Sequence, residues 1–202
     1  VGHSLGARVA MLALADGTLA VESFVAVDAA PEVSAEASAK ILADAQSVPT
    51  EFKSIEEYKS YLNGLYALAD SAAIERLGQF GLRRKGLGYR VKTDPAFASR
   101  LWHQSEEMRA EEEARGPLVQ RLWDAVSSID TPTLVLRGQA SAVLTQPAAQ
   151  ALVSNTLSNG SLETVGRSGH ALMIDNPSEC QRFIAAFLHS HSVASQSIRR
   201  AS

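Results

Sequence analysis

The sequence predicts an α/β fold: a mostly parallel sheet flanked by helices and interrupted by a mainly helical insertion. Three observations predict it. At the N-terminal end an apolar helical stretch is followed by a β-prone run, and near the C-terminal end β-prone runs again alternate with helical stretches, the order of parallel sheet units. Between them, from about Glu32 to Ser128, Ala, Glu, Lys and Arg dominate and β-prone runs are few. The 202 residues, 46% hydrophobic and 20% charged, have the balance of an ordinary globular chain.

Each element has its own signal. Leu5 to Asp16 is rich in Ala, Leu, Met and Val, and Asp16-Gly17 supplies a stop. Val21 to Val27 is β-prone and ends at Asp28, with Pro31 beyond. In the insertion, Ile55, Tyr58, Tyr61, Leu62, Leu65 and Leu68 recur at spacings of three and four, and Ser54 with Glu57 resembles a capping box. Leu101–Ala114 and Leu118–Val126 also read as helices. Glycines punctuate the middle, where Arg83-Arg84-Lys85 reads as a solvated basic loop. After Pro132, Thr133–Arg137 reads as a buried strand. Gln146–Leu157 is a helix with Pro147 in its first turn, Ser161–Val165 a strand, and Pro177–His191 a closing helix. The expected organisation is core at 1–31, helical insertion at 32–128, core at 129–191, and a Ser- and Arg-rich disordered tail at 192–202.

Composition excludes several classes. The net charge of -3 gives no basic excess for a nucleic acid partner. No apolar run reaches the roughly 20 residues that span a bilayer, and the start does not read as a signal peptide. Cys180 is the one cysteine, so a cysteine zinc cluster is ruled out and a reducing, cytoplasmic setting fits. The five histidines show no metal-ligand spacing. No cofactor or metal is expected. The start at Val1 suggests a copy truncated ahead of its first motif.

That motif is Gly2-His3-Ser4-Leu5-Gly6. Gly-x-Ser-x-Gly places a serine on a sharp turn between strand and helix, with the glycines allowing close backbone approach. The Leu5 N–H, at the helix start, could donate to an oxyanion. A serine of ordinary acidity needs a base. Gly169-His170 lies after the last β-prone run in a glycine-containing loop. His189 and His191 sit at a helix end, where solvation explains them, and His3 shapes the turn.

The runs Gly2–Gly6, Val25-Ala-Val-Asp28-Ala-Ala-Pro31, Pro132-Thr-Leu-Val-Leu-Arg137-Gly138, and Gly169-His170-Ala171 with Asp175-Asn-Pro177 resemble the α/β-hydrolase family, in its order and near its spacing. The resemblance covers about residues 1–28 and 129–190, and implies that the chain is the C-terminal part of such a hydrolase, from the nucleophile turn onward. It implies Ser4 as nucleophile, His170 as base and the insertion as a cap that shapes the pocket. In similar sequences the segment after Arg-Gly supplies the acid, and Ala142 stands where Asp is expected. Asp28 is then either the substitute acid or a structural residue at the strand end. Asp175 is read as a cap of the closing helix. With about three strands and none upstream, the sheet would expose a hydrophobic edge.

Three functions compete. One is a serine hydrolase of small, mainly apolar esters, lactones or related acyl substrates. Another is a C–C bond hydrolase or cofactor-free relative on the same scaffold. The third, motivated by Ala142, is a catalytically impaired binding homologue. Tyr58, Tyr61, Tyr66, Phe97, Trp102 and Trp123 are candidate pocket walls, although aromatic residues at helical spacing more often form core.

Overall fold

The structure, a computed structural model, describes residues 1–34, 36–37, 40–41, 43–44, 48–94, 110, 113–114 and 117–201. The helix expected over Leu101–Ala114 falls almost wholly outside them, as do Phe97 and Trp102.

The main sheet has four parallel strands, β1 (Gly2–His3), β2 (Phe24–Val27), β6 (Thr133–Gly138) and β7 (Gly160–Val165), in the order β1-β2-β6-β7. It is one strand wider than the sequence pointed to, because Gly2 and His3 pair with Ala26 and Val27. Side chains alternate across it, as the two-residue period of a strand requires. Phe24, Ala26 and Val135 face one core with Ala7 and Met11 of α1 (Leu5–Ala15), and with Leu122 and Val126 of α4 (Leu118–Ser127). Leu152 joins them from a π-turn (Leu152–Thr156) that ends the helix α5 (Gln146–Ala151). Val25, Val27, Leu134 and Leu136 face a second core with Leu172 of α6 (Leu172–Asp175) and Cys180 of α7 (Pro177–Ala201). A sheet buried on both faces is the parallel arrangement.

The insertion carries its own core. Phe52, Tyr58, Leu62, Ile74, Leu82 and Val91 pack together, from α2 (Ile55–Leu65), α3 (Ser71–Phe80) and a small antiparallel sheet. That sheet joins β3 (Glu51–Phe52), β5 (Gly88–Val91) and β4 (Leu82–Lys85). It corrects the reading of Arg83-Arg84-Lys85 as a loop. The three side chains are exposed, but their backbone forms β4, with only Leu82 buried. A strand with one inward residue leaves no hydrophobic alternation to read. Gly86, at φ 58, closes the turn to β5, a conformation that favours glycine.

Ser54 caps α2, its side chain accepting from the Glu57 N–H at 3.1 Å. Replacing it with Ala is expected to lower stability by about 1 kcal/mol, read from the urea midpoint; no loss would mean that the cap is redundant. At the other end of the chain, α7 runs on to Ala201, through the stretch from Ser192 read as a disordered tail. Neither glycine nor proline follows Pro177 to stop it. Among the described residues no helix is long and apolar enough to cross a membrane.

Candidate active site

Ser4 ends β1 and begins α1. Its backbone, φ 51 and ψ -120, lies outside the ordinary helix and strand regions. The turn is held by the Ser4 N–H bonded to the Val27 carbonyl at 3.0 Å and by the Ser4 carbonyl accepting from the Ala7 N–H at 3.0 Å. Gly2 is required here, since a Cβ would stand 2.7 Å from the Ala7 Cα. Gly6 differs from its expected role. A Cβ there meets nothing within 4 Å, and Leu5 and Val9 beside it are exposed, so this flank of the turn is open.

The Ser4 hydroxyl meets His170 Nε2 at 3.0 Å, and His170 Nδ1 meets Asp28 Oδ2 at 2.7 Å. Asp28 follows β2 with no solvent exposure. A carboxylate can only accept, which sets the imidazole tautomer: Nδ1–H donates to Asp28 Oδ2 and Nε2 is left to accept from Ser4. That chain can carry a proton from the serine to the ring while the carboxylate steadies the charged imidazole. Among the described residues the non-glycine positions with positive φ are Ser4, Asp28 (φ 45) and Arg167 (φ 48). All three lie on the loops that meet here, and such conformations cost roughly 1–3 kcal/mol each.

The β6–α5 loop grips Asp28 from behind. The Gly138 N–H donates to Oδ1 at 3.0 Å and the Ser141 hydroxyl to Oδ2 at 2.5 Å. The residue facing the carboxylate is thus Ser141, one position before Ala142. Arg137, 6% exposed, fastens the same loop: Nε donates to the Leu144 carbonyl, Nη1 to Gln146 Oε1 and Nη2 to the Gln139 carbonyl.

The family model described as "Alpha/beta hydrolase family" matches residues 1–182. The chain belongs to the alpha/beta hydrolase family. Solved structures agree with this assignment. It is similar to E-2-(acetamidomethylene)succinate hydrolase, at 25% identity and a TM-score of 0.74, over 93% of this chain and 65% of that one. It is also similar to an esterase of M. tuberculosis, at 19% identity and a TM-score of 0.71, over 93% and 61%. A thioesterase domain from the curacin biosynthetic pathway matches at 19% identity and a TM-score of 0.65, over 92% and 65%. The chain therefore spans less than two thirds of the length of each. No curated protein matches it.

Two further residues of this alpha/beta hydrolase bear on His170. His3 Nε2 lies 2.9 Å from the His170 carbonyl, and the two rings are tilted at a centroid distance of 4.7 Å. Facing a carbonyl, Nε2 must carry the proton, and burial pushes the His3 ring toward its neutral form. Asp175 corrects its expected role. Asn176, not Asp175, caps α7, with Oδ1 accepting from the Glu179 N–H at 3.3 Å. Asp175 Oδ2 instead accepts from the Gly169 N–H at 2.8 Å, next to His170. This contact is not legible in the sequence, because an Asp before Asn-Pro carries the same cap signal as its neighbour.

Burial pushes the Asp175 carboxyl up, against a smaller downward pull from the Gly169 N–H. An acid raised in the folded state binds its proton more tightly folded than unfolded. Its contribution therefore turns unfavourable as pH rises from the unfolded value through the folded one. Asn keeps an acceptor for Gly169 without the buried charge. Asp175→Asn is expected to gain stability relative to the unsubstituted chain as pH rises above about 4, measured by urea midpoints across pH. Equal slopes would refute this.

A cavity of about 260 Å³ is lined by Ala30, Pro31, Glu32, Trp123, Ala142 and Val143 among others, and none of Ser4, Asp28 and His170 lines it. Of the aromatic residues considered, Trp123 lines this space, whereas Tyr58, Tyr61 and Tyr66 belong to the insertion's core. Among the described residues no group of three or more His, Cys, Asp or Glu could hold a metal ion.

Proposed function

We propose that this alpha/beta hydrolase is a serine hydrolase of small, mainly apolar esters, lactones or related acyl compounds. The supporting observation is the unbroken hydrogen-bonded chain Ser4–His170–Asp28. In the reaction the Ser4 oxygen attacks the acyl carbon as its proton passes to His170 Nε2. The Leu5 N–H, at the start of α1 where no helical carbonyl takes it, donates to the developing oxyanion. His170 then gives the proton to the leaving group, and water releases the acyl group from Ser4 by the same route. Asp28 holds the Nδ1–H throughout.

The names of the similar structures, an esterase, a thioesterase and an amide-bearing succinate hydrolase, are compatible with acyl transfer. Ala142 would argue for a non-catalytic relative only if no other carboxylate met His170, and Asp28 does. The test is labelling of the whole chain with a fluorophosphonate probe. Labelling at Ser4 that disappears in His170→Gln supports the proposal. Absence of labelling, or labelling indifferent to His170, refutes it. Hydrolysis surviving Ser4→Ala but not His170→Ala would favour C–C or cofactor-free chemistry instead.

A further inference from the structure

We propose that the Ser141 hydroxyl is a positioning group for this site: it fixes the Asp28 carboxylate and weakens its hold on the His170 Nδ1 proton. The inference rests on the serine-hydrolase reading and extends it to a residue that never touches the reacting atoms.

The direction of the Ser141 proton is determined by its surroundings. A hydroxyl has one proton and two acceptor positions. The Ser141 oxygen accepts from the Val143 N–H at 3.1 Å and from the Leu144 N–H at 3.2 Å. Both acceptor positions are thereby taken, and the proton is left to point at Asp28 Oδ2, 2.5 Å away. Ser141 is 7% exposed and Asp28 fully buried, so water does not compete for the place. The loop cannot readily swing away: the Ser141 N–H bonds the Gly138 carbonyl, the Ala140 N–H bonds the Ser168 carbonyl, and Arg137 clips the loop at Gln139, Leu144 and Gln146.

The same oxygen, Asp28 Oδ2, also receives His170 Nδ1. Two donors on one oxygen share its charge. Each therefore holds the other's bond below the strength it would have alone, because a bond to the charged form stabilises that form. Removing the Ser141 donor leaves Asp28 with more charge for the imidazolium. The histidine then keeps its proton to higher pH and becomes a poorer base near neutrality. The other groups facing His170 are His3 from β1, Ser4 at the start of α1, and Asp175 at the end of α6 through the Gly169 N–H. A substitution at 141 touches none of them.

The test is an NMR titration of the His170 ring in the whole chain without substrate, its signals assigned by comparison with His170→Gln. Ser141→Ala is expected to raise the His170 midpoint by less than the full worth of the Ser141–Asp28 bond, because that bond exists in both forms of the ring and only its difference between them is lost. An unchanged or lowered midpoint overturns the proposal. If Ser141→Ala does not fold, Ser141→Cys keeps nearly the same shape with a weaker donor. It should shift the midpoint the same way by less, and no shift overturns the proposal equally. Fluorophosphonate labelling separates the two readings. If Ser4 of the unsubstituted chain is not labelled, the serine-hydrolase reading fails, while the titration still decides what Ser141 does. If Ser4 is labelled, the acidic limb of the labelling rate should move with the His170 midpoint.

Discussion

Asp28→Asn is expected to lower p-nitrophenyl acetate turnover by about 10⁴-fold, the loss seen when the orienting carboxylate of a serine triad becomes an amide. The geometry explains why an amide cannot stand in. Asp28 receives three donors: the Gly138 N–H on Oδ1, and both His170 Nδ1 and the Ser141 hydroxyl on Oδ2. Asn offers one oxygen and one NH₂ in place of two oxygens. Whichever way the amide turns, a donor meets a donor. If the oxygen faces Gly138, the NH₂ faces His170 and draws the ring into the tautomer that presents Nε2–H to Ser4. The serine then has no acceptor. Turnover within about tenfold of the unsubstituted chain would mean that His170 is oriented by something else, and that Asp28 serves only to tie β2 to the β6–α5 loop.

Gly138→Ala should be nearly as damaging by a different route. A Cβ at Gly138 would stand 2.0 Å from the Gly169 carbonyl oxygen, 2.8 Å from the Gly169 carbon and 2.9 Å from the Ser168 carbonyl oxygen. All three are backbone atoms of the loop that carries His170, so no side chain can rotate aside. Either the His170 loop moves, or the end of β6 does and draws the Gly138 N–H from Asp28. Overpacking of this kind costs roughly 1–3 kcal/mol of stability, and a displacement of about 1 Å at a catalytic group costs about 10²-fold in rate. Both are measurable, by urea unfolding and by p-nitrophenyl acetate turnover. Turnover within a few-fold of the unsubstituted chain would show that the His170 loop is held elsewhere.

The parts of this molecule that were legible in its sequence share a property. Gly2–Gly6, Gly169-His170 and the β-prone runs at Val21 and Thr133 each carry their signal within a few neighbouring residues. Ser4, His170 and Asp28 could therefore be named from the chain, and the structure places them within hydrogen-bonding reach of one another. What was not legible depends on distant partners. Ser141 is an unremarked serine in a loop until β2 brings Asp28 beside it, 113 residues away. Gly138 reads as an ordinary glycine after a strand until Gly169 packs on it. Asp175 gives the signal of a helix cap, and only the fold of the preceding loop turns it toward Gly169. The insertion's sheet escaped notice because Leu82–Lys85 buries one side chain of four.

The insertion's separate core has a kinetic consequence. Ser4 and Asp28 are joined by a single strand–helix–strand unit, close in sequence, whereas His170 must come to them across 166 and 142 residues. Closing such a loop slows folding, because its entropy is lost before the contacts that reward it are made. Residues 51–91 pack onto themselves around Phe52, Tyr58, Leu62 and Ile74, which shortens the free span, although on the logarithmic scale of loop closure by only a few tenths of a kcal/mol. The expected order is serine and acid first and the histidine last, and stopped-flow refolding that showed no delay in forming the His170 contacts would refute it. The insertion is also tied to the histidine side of the site, since the Asp70 N–H donates to the Ile174 carbonyl at 2.9 Å, so loosening it would slacken the support of the segment that follows His170.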